Sequence, residues 1–111
     1  MITRHLFATI KASPEVLDNL EALEKACVEA CTTARATVLD ISSHKFKPQG
    51  VTLVALLSES HFSIHTWPER GTAAVDLFTC GEHTEPYAGL MRLLLELGGE
   101  TVSYTLTTRG V

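Results

Sequence analysis

Apolar positions recur with two periods along the chain, and the two periods divide it into strands and helices. Thr3–Ile10 alternates loosely, with His5, Phe7 and Thr9 against Leu6 and Ala8, and predicts a first strand. Ser13-Pro14 then supplies a helix start, a hydroxyl cap followed by proline at the first helical position. Glu15 and Asp18 follow in the first turns, near the positive end of the helix dipole. Val16, Leu20, Leu23, Cys27, Ala30 and Ala34 are spaced by three or four, one buried face of a single helix running to about Thr33. The acidic residues Glu15, Asp18, Glu21 and Glu29 lie elsewhere on the wheel and read as a solvated face.

Beyond that helix the period returns to two. Ala36–Lys47 is β-branched and alternating, a second strand, and Pro48-Gln49-Gly50 is a turn. Val51–Leu57 is almost continuously apolar, as in a central strand or one at a dimer seam. In His61–Thr66 the alternation places His61, Ser63 and His65 on one face and Phe62 and Ile64 on the other. Pro68 and Gly71 break the chain before a strand at Thr72–Phe78. A second helix starts at Thr84-Glu85-Pro86, buries Leu90, Leu93, Leu94 and Leu97, and ends at Gly98-Gly99. Thr101–Thr107 is a last strand. The order β-α-β-β-β-β-α-β, with tight central turns, predicts an α+β two-layer sandwich: a mainly antiparallel sheet with two helices on one face. The other face of the sheet then needs cover, and in so short a chain the expected cover is a second subunit.

At 111 residues this is a single domain, and 45% hydrophobic with 20% charged residues excludes disorder as the main reading. A net charge of −4, with no Lys/Arg cluster, argues against nucleic acid as a partner. The apolar runs are too short to span a bilayer, and the N-terminus lacks a signal-peptide pattern, so a cytosolic protein is expected. Cys27, Cys31 and Cys80 are an odd count that implies no disulfide framework. Cys27 and Cys31, at i and i+4 on the helix, read as small apolar packing rather than half of a metal site.

Chemistry concentrates between Ser58 and Gly81, where serine, histidine, glutamate, tryptophan and cysteine crowd into SESHFSIHTWPERGTAAVDLFTCG. His61, His65, Cys80 and His83 have spacings that bind zinc elsewhere. On a strand, however, residues i and i+4 stand about 13 Å apart, so no metal site is expected. A hydrolase with Ser60 or Cys80 as nucleophile lacks a nucleophile elbow and a nameable acid to orient its base. Satisfied polar residues on a strand face would explain any one of these side chains but not all of them together. A third chemistry is self-cleavage. A serine after an acidic residue, at a strained turn, can attack its own preceding carbonyl to form an ester. Loss of the serine α-proton then expels the upstream carboxylate and leaves dehydroalanine, which hydrolyses to a pyruvoyl group. That elimination needs a base, for which His65 is a candidate. A pyruvoyl ketone forms a Schiff base with a substrate amine and accepts electrons during decarboxylation. Cys80 is a candidate donor for the reprotonation that follows.

The residues that carry this third reading also carry a resemblance. Ser58-Glu59-Ser60-His61, His65-Thr66-Trp67-Pro68-Glu69 and Phe78-Thr79-Cys80-Gly81 resemble the short bacterial and archaeal S-adenosylmethionine decarboxylase proenzymes. The similarity extends through Arg4-His5-Leu6, Val16-Leu17-Asp18-Asn19 and Phe46…Pro48…Gly50-Val51, nearly the whole chain. It implies cleavage between Glu59 and Ser60, giving chains 1–59 and 60–111, the second opened by a pyruvoyl group made from Ser60. It implies that His65 promotes processing and that Cys80 donates a proton in decarboxylation. Phe46 and Trp67 match positions lining a nucleoside pocket, and Glu69 matches an acid that holds the ribose hydroxyls. Aromatic faces suit a sulfonium cation and an adenine, and a carboxylate suits a cis-diol. The implied substrate is S-adenosylmethionine, the implied product an aminopropyl donor for polyamine synthesis, and the implied assembly a homodimer with sites at its interface. Thr52 departs from the pattern where a serine that assists processing is expected, keeping only the hydroxyl, so slower processing at most is expected. The chain also stops soon after Arg109-Gly110, short of relatives with a C-terminal extension, with no effect on the site expected. A pyruvoyl decarboxylase of free arginine or ornithine, and an uncleaved binding homologue, remain as alternatives.

Overall fold

The computed structural model describes residues 1–111, in the order β1 (Ile2–Lys11), α1 (Pro14–Leu17), α2 (Leu20–Thr33), β2 (Val38–Lys45), β3 (Val51–Leu57), β4 (Ser60–Trp67), β5 (Thr72–Cys80), α3 (Pro86–Leu97) and β6 (Glu100–Gly110). A single 3₁₀ turn, Pro68–Arg70, joins β4 to β5. The six strands form one sheet in the order β2-β3-β4-β5-β1-β6, every neighbouring pair antiparallel. Period-two burial selects the face that meets the helices. Leu6, Ala8 and Ile10 of β1, Leu53 and Ala55 of β3, Phe62 and Ile64 of β4, and Val75 and Leu77 of β5 are all buried there. Opposite them, α2 contributes Leu23, Ala26, Cys27, Ala30 and Cys31, and α3 contributes Leu90, Leu93, Leu94 and Leu97, to one continuous core. The expected two-layer α+β sandwich is the observed architecture.

Cys27 and Cys31 are fully buried in that core. Contact with the Cys31 thiol, and then burial, push the Cys27 thiol upward, so it stays a neutral packing group. No helix is long and apolar enough to cross a membrane.

Three helices stand where two are expected. The helix predicted to run unbroken from Ser13 to about Thr33 is divided at Asp18-Asn19. Ser13 Oγ accepts from the Val16 amide, and Asn19 Oδ1 accepts from the Ala22 amide, so each piece carries its own cap. The apolar spacing passes through the break without a slip, which is why periodicity alone hides it. Asp18 likewise leaves the solvated acidic face assigned to it. Its carboxylate accepts from the Gly50 amide at 2.8 Å and pairs with Lys45 at 2.8 Å. Those contacts hold the carboxyl below the usual carboxylate range, the Lys45 hydrogen bond first and the Gly50 amide next.

The sheet's second face has no cover within the chain. Phe7, Val54 and Leu56 project from β1 and β3 on that side and are exposed. His5 and His61 flank Phe78 there, His5 edge-on at 5.5 Å and His61 stacked at 5.6 Å between centroids.

Candidate active site

The hairpin turn between β3 and β4 is only Ser58-Glu59, and it leaves Ser60 at φ 139°, a conformation that a side chain disfavours. Three donors pin the Glu59 side chain. One carboxylate oxygen accepts from the Thr37 amide at 2.8 Å and from Ser58 Oγ at 2.8 Å. The other lies 3.3 Å from His83 Nε2. The Thr37 amide is the main reason that the Glu59 carboxyl sits below its usual range, with Ser58 and His83 adding to it. His83 reaches this position because Gly81 has no side chain: a Cβ there would stand 2.7 Å from the imidazole.

The Glu59 main chain is held as firmly. Its carbonyl oxygen accepts the Cys80 amide at 2.8 Å, and Ser60 lies opposite Thr79 in the β4–β5 register. Cys80 is a free thiol of intermediate exposure at the end of β5. Glu59, Ser60 and Cys80 therefore meet where the β3–β4 turn abuts the end of β5.

The remaining sequence-predicted residues gather elsewhere. Phe46, Thr52, His65, Trp67 and Glu69 line a cavity of about 350 Å³ with Gln49, Gly50, Val51 and Thr66. That volume lies within the range of small-molecule sites, about 300–1,000 Å³. Phe46 and Trp67 are each nearly half exposed. Thr52 pairs with His65 across the β3–β4 ladder, and its Oγ1 lies 3.1 Å from His65 Nδ1.

Ser60 and His65 are not brought together within one chain. Five residues of extended strand separate them, about 16 Å at the usual rise, so His65 cannot reach the Ser60 α-proton of its own protomer. Within a single chain, the extended strand keeps the His65 imidazole away from the Glu59–Ser60 bond. No group of three or more His, Cys, Asp and Glu side chains comes together as a metal cluster. His61 instead stacks on Phe78, and His83 is engaged with Glu59.

Sequence reasoning missed two features of these half-sites. Asp18, which reads in the sequence as a surface charge, accepts the Gly50 amide at the cavity wall, and the Asp18-Asn19 pair, poor helix formers that favour caps, is the signal the sequence offers. The Thr37 amide that anchors Glu59 had no signal, since a main-chain donor carries no residue identity.

A family model described as S-adenosylmethionine decarboxylase matches residues 4–110. An S-adenosylmethionine decarboxylase proenzyme of Caldanaerobacter subterraneus subsp. tengcongensis is 43% identical over 109 residues, covering 97% of this chain and 88% of the relative. A proenzyme of the same name from Methanococcus maripaludis is 46% identical over 97 residues, covering 87% and 80%. The crystal structure of the adenosylmethionine decarboxylase from Aquifex aeolicus VF5 superposes with a TM-score of 0.84 at 30% identity, covering 99% of this chain and 92% of that one. A match over nearly every residue, in sequence and in fold, means that this chain belongs to the S-adenosylmethionine decarboxylase family.

Proposed function

We infer that this chain decarboxylates S-adenosylmethionine, and that it first cuts itself between Glu59 and Ser60. The observation that carries the self-cleavage is the 2.8 Å hydrogen bond from the Cys80 amide to the Glu59 carbonyl oxygen, beside a serine held at φ 139°. In the cleavage, Ser60 Oγ attacks the Glu59 carbonyl carbon and the oxygen gains negative charge. A preset main-chain donor stabilises such an oxygen more than it stabilises the neutral carbonyl. Collapse breaks the Glu59–Ser60 C–N bond and leaves Glu59 as an ester on the serine oxygen. Strain at Ser60, on the order of 1–3 kcal/mol for such backbone conformations, is available to favour that shift. Removal of the α-proton from residue 60 then breaks its Cβ–O bond and releases Glu59 as a free carboxylate. Addition of water and loss of ammonia from the resulting dehydroalanine leave the pyruvoyl group, together with chains 1–59 and 60–111.

The pyruvoyl ketone supplies a covalent anchor for the substrate amine and a sink for the electrons released with carbon dioxide. Around it, the Cys80 thiol at the end of β5 is the proton donor. Phe46 and Trp67 receive the adenine and sulfonium, and Glu69 accepts from the ribose hydroxyls.

The separation of Ser60 from His65 gives the reading its quaternary form. His65, steadied by Thr52, is the processing base for the Ser60 of a second copy, and the pocket of one protomer serves the cleavage site of the other. The apolar residues on the uncovered sheet face, Phe7, Val54 and Leu56, support a homodimer packed through that face. Three free thiols fit a reducing cytosol, and the product fits the aminopropyl donor of polyamine synthesis. The names of the relatives favour S-adenosylmethionine over free arginine or ornithine.

Intact mass under denaturing conditions tests the reading directly. Active preparations should give two polypeptides divided at Glu59/Ser60, and Ser60→Ala should give one uncut, inactive chain. A single 111-residue species in an active preparation would refute the pyruvoyl mechanism. Carbon dioxide release from labelled S-adenosylmethionine, arginine and ornithine should occur with the first alone.

A further inference from the structure

Val16-Leu17-Asp18-Asn19 is a recognisable motif of the chain, yet none of its residues takes part in the cleavage or the proton transfer. The structure places two of them against the substrate cavity. Asp18 Oδ1 accepts the Gly50 amide at 2.8 Å and the Lys45 ammonium at 2.8 Å, and that ammonium also donates to the Asp18 carbonyl at 2.7 Å. The Leu17 carbonyl accepts from the buried Thr66 hydroxyl at 2.8 Å, and that hydroxyl accepts the Val51 amide at 2.9 Å. The break between α1 and α2 therefore grips β3 and β4 where they border the cavity, and the end of β2 at Lys45, next to the cavity residue Phe46.

The segment held in this way carries Phe46. Its amide donates to the Gly50 carbonyl at 2.8 Å, closing a tight loop whose other end is the Gly50 amide on Asp18. Gly50 has φ 105°, and a Cβ there would come within 3.3 Å of the Thr66 carbonyl oxygen. A loop closed on glycine has many alternative conformations, and its shape depends on an external anchor. Asp18 is that anchor, and it explains why the chain breaks a helix there: in a continuous helix, residue 18 would not hold its carboxylate and carbonyl toward Gly50 and Lys45 together.

We propose that Asp18 is a positioning residue for substrate binding: through the Gly50 amide and Lys45 it fixes the Phe46–Val51 wall of the pocket. This rests on the decarboxylase reading above. Asp18 touches neither substrate nor the reacting atoms, so its removal should weaken binding and leave the chemistry intact.

Steady-state kinetics of the processed enzyme read this. Asp18→Ala should raise KM for S-adenosylmethionine about tenfold, the size of one lost hydrogen bond to a charged group, with kcat within about twofold and cleavage complete. Asp18→Asn keeps an acceptor for the Gly50 amide and should bring KM back to within about threefold of the parent. An unchanged KM in Asp18→Ala, a fall in kcat that matches the change in kcat/KM, or no rescue by Asn would overturn the proposal. Should Asp18→Ala fail to fold, Lys45→Met decides: KM rises at unchanged kcat, or the proposal fails. Trp67, the chain's one tryptophan, lines the same cavity and supplies a readout that needs no turnover. Quenching of its emission by adenosine should require about tenfold more ligand in Asp18→Ala, and equal affinity would overturn the role. If the parent protein quenches with adenosine but releases no carbon dioxide from S-adenosylmethionine, the decarboxylase reading fails and the positioning role stands.

Discussion

Ser60 is held from both sides of the bond it is proposed to cut. Upstream, the Glu59 side chain is fixed by Thr37, Ser58 and His83, and its carbonyl by the Cys80 amide. Downstream, Ser60 enters the β4–β5 ladder opposite Thr79. A residue clamped in this way can keep a φ of 139° that a free turn would relax. The proposed mechanism gives Cys80 two separable parts, its main-chain amide in cleavage and its thiol in turnover. Cys80→Ala retains the amide, so the variant should still yield two chains by mass while decarboxylation falls by about a hundredfold or more, the usual scale for a lost proton-transfer group. Ordinary turnover without the thiol would remove Cys80 from the mechanism.

Between elements, the decisive contact is the corner where α1 gives way to α2. Had the helix been continuous, as its apolar spacing suggests, residue 19 would be an interior position and alanine there would stabilise it by a few tenths of a kcal/mol. Asn19 instead accepts the Ala22 amide at 3.1 Å as the cap of α2. Asn19→Ala should therefore destabilise the fold by about 1 kcal/mol, lowering Tm by roughly 4 °C. Thermal unfolding followed by circular dichroism gives the sign, and a rise in Tm would contradict the cap. The same corner explains why the break is worth its interruption of α2: it frees Asp18 and the Leu17 carbonyl for the pocket wall.

For the whole molecule, one antiparallel sheet separates two candidate half-sites, the Glu59-Ser60-Cys80 cluster at the strand ends and the Phe46-His65-Trp67-Glu69 cavity. Two copies meeting through the uncovered face can bring unlike half-sites together twice. Co-expression of Ser60→Ala with His65→Ala tests this. In a mixed dimer the His65→Ala chain keeps its serine and meets an intact His65 from its neighbour, so that chain alone should be cleaved. If neither chain is cut in mixed dimers confirmed by mass, processing does not cross the interface.

Much of this protein is written in short-range pattern. Period-two alternation marked the central strands, proline, glycine and leucine spacing marked α3, and the run from Ser58 to Gly81 carried the family resemblance. These are local properties, fixed by where a side chain must point along a strand or helix. The sequence did not contain the distances between those parts. Ser60 and His65 look adjacent at five residues apart, but an extended strand makes that separation about 16 Å. Asp18 and Gly50 look remote at 32 residues apart, yet they are hydrogen-bonded at 2.8 Å. Strand rise alone fixes the first separation, whereas the helix corner decided the second contact, because a hydrogen bond between a main-chain amide and a distant side chain leaves no periodic trace in the residues that make it.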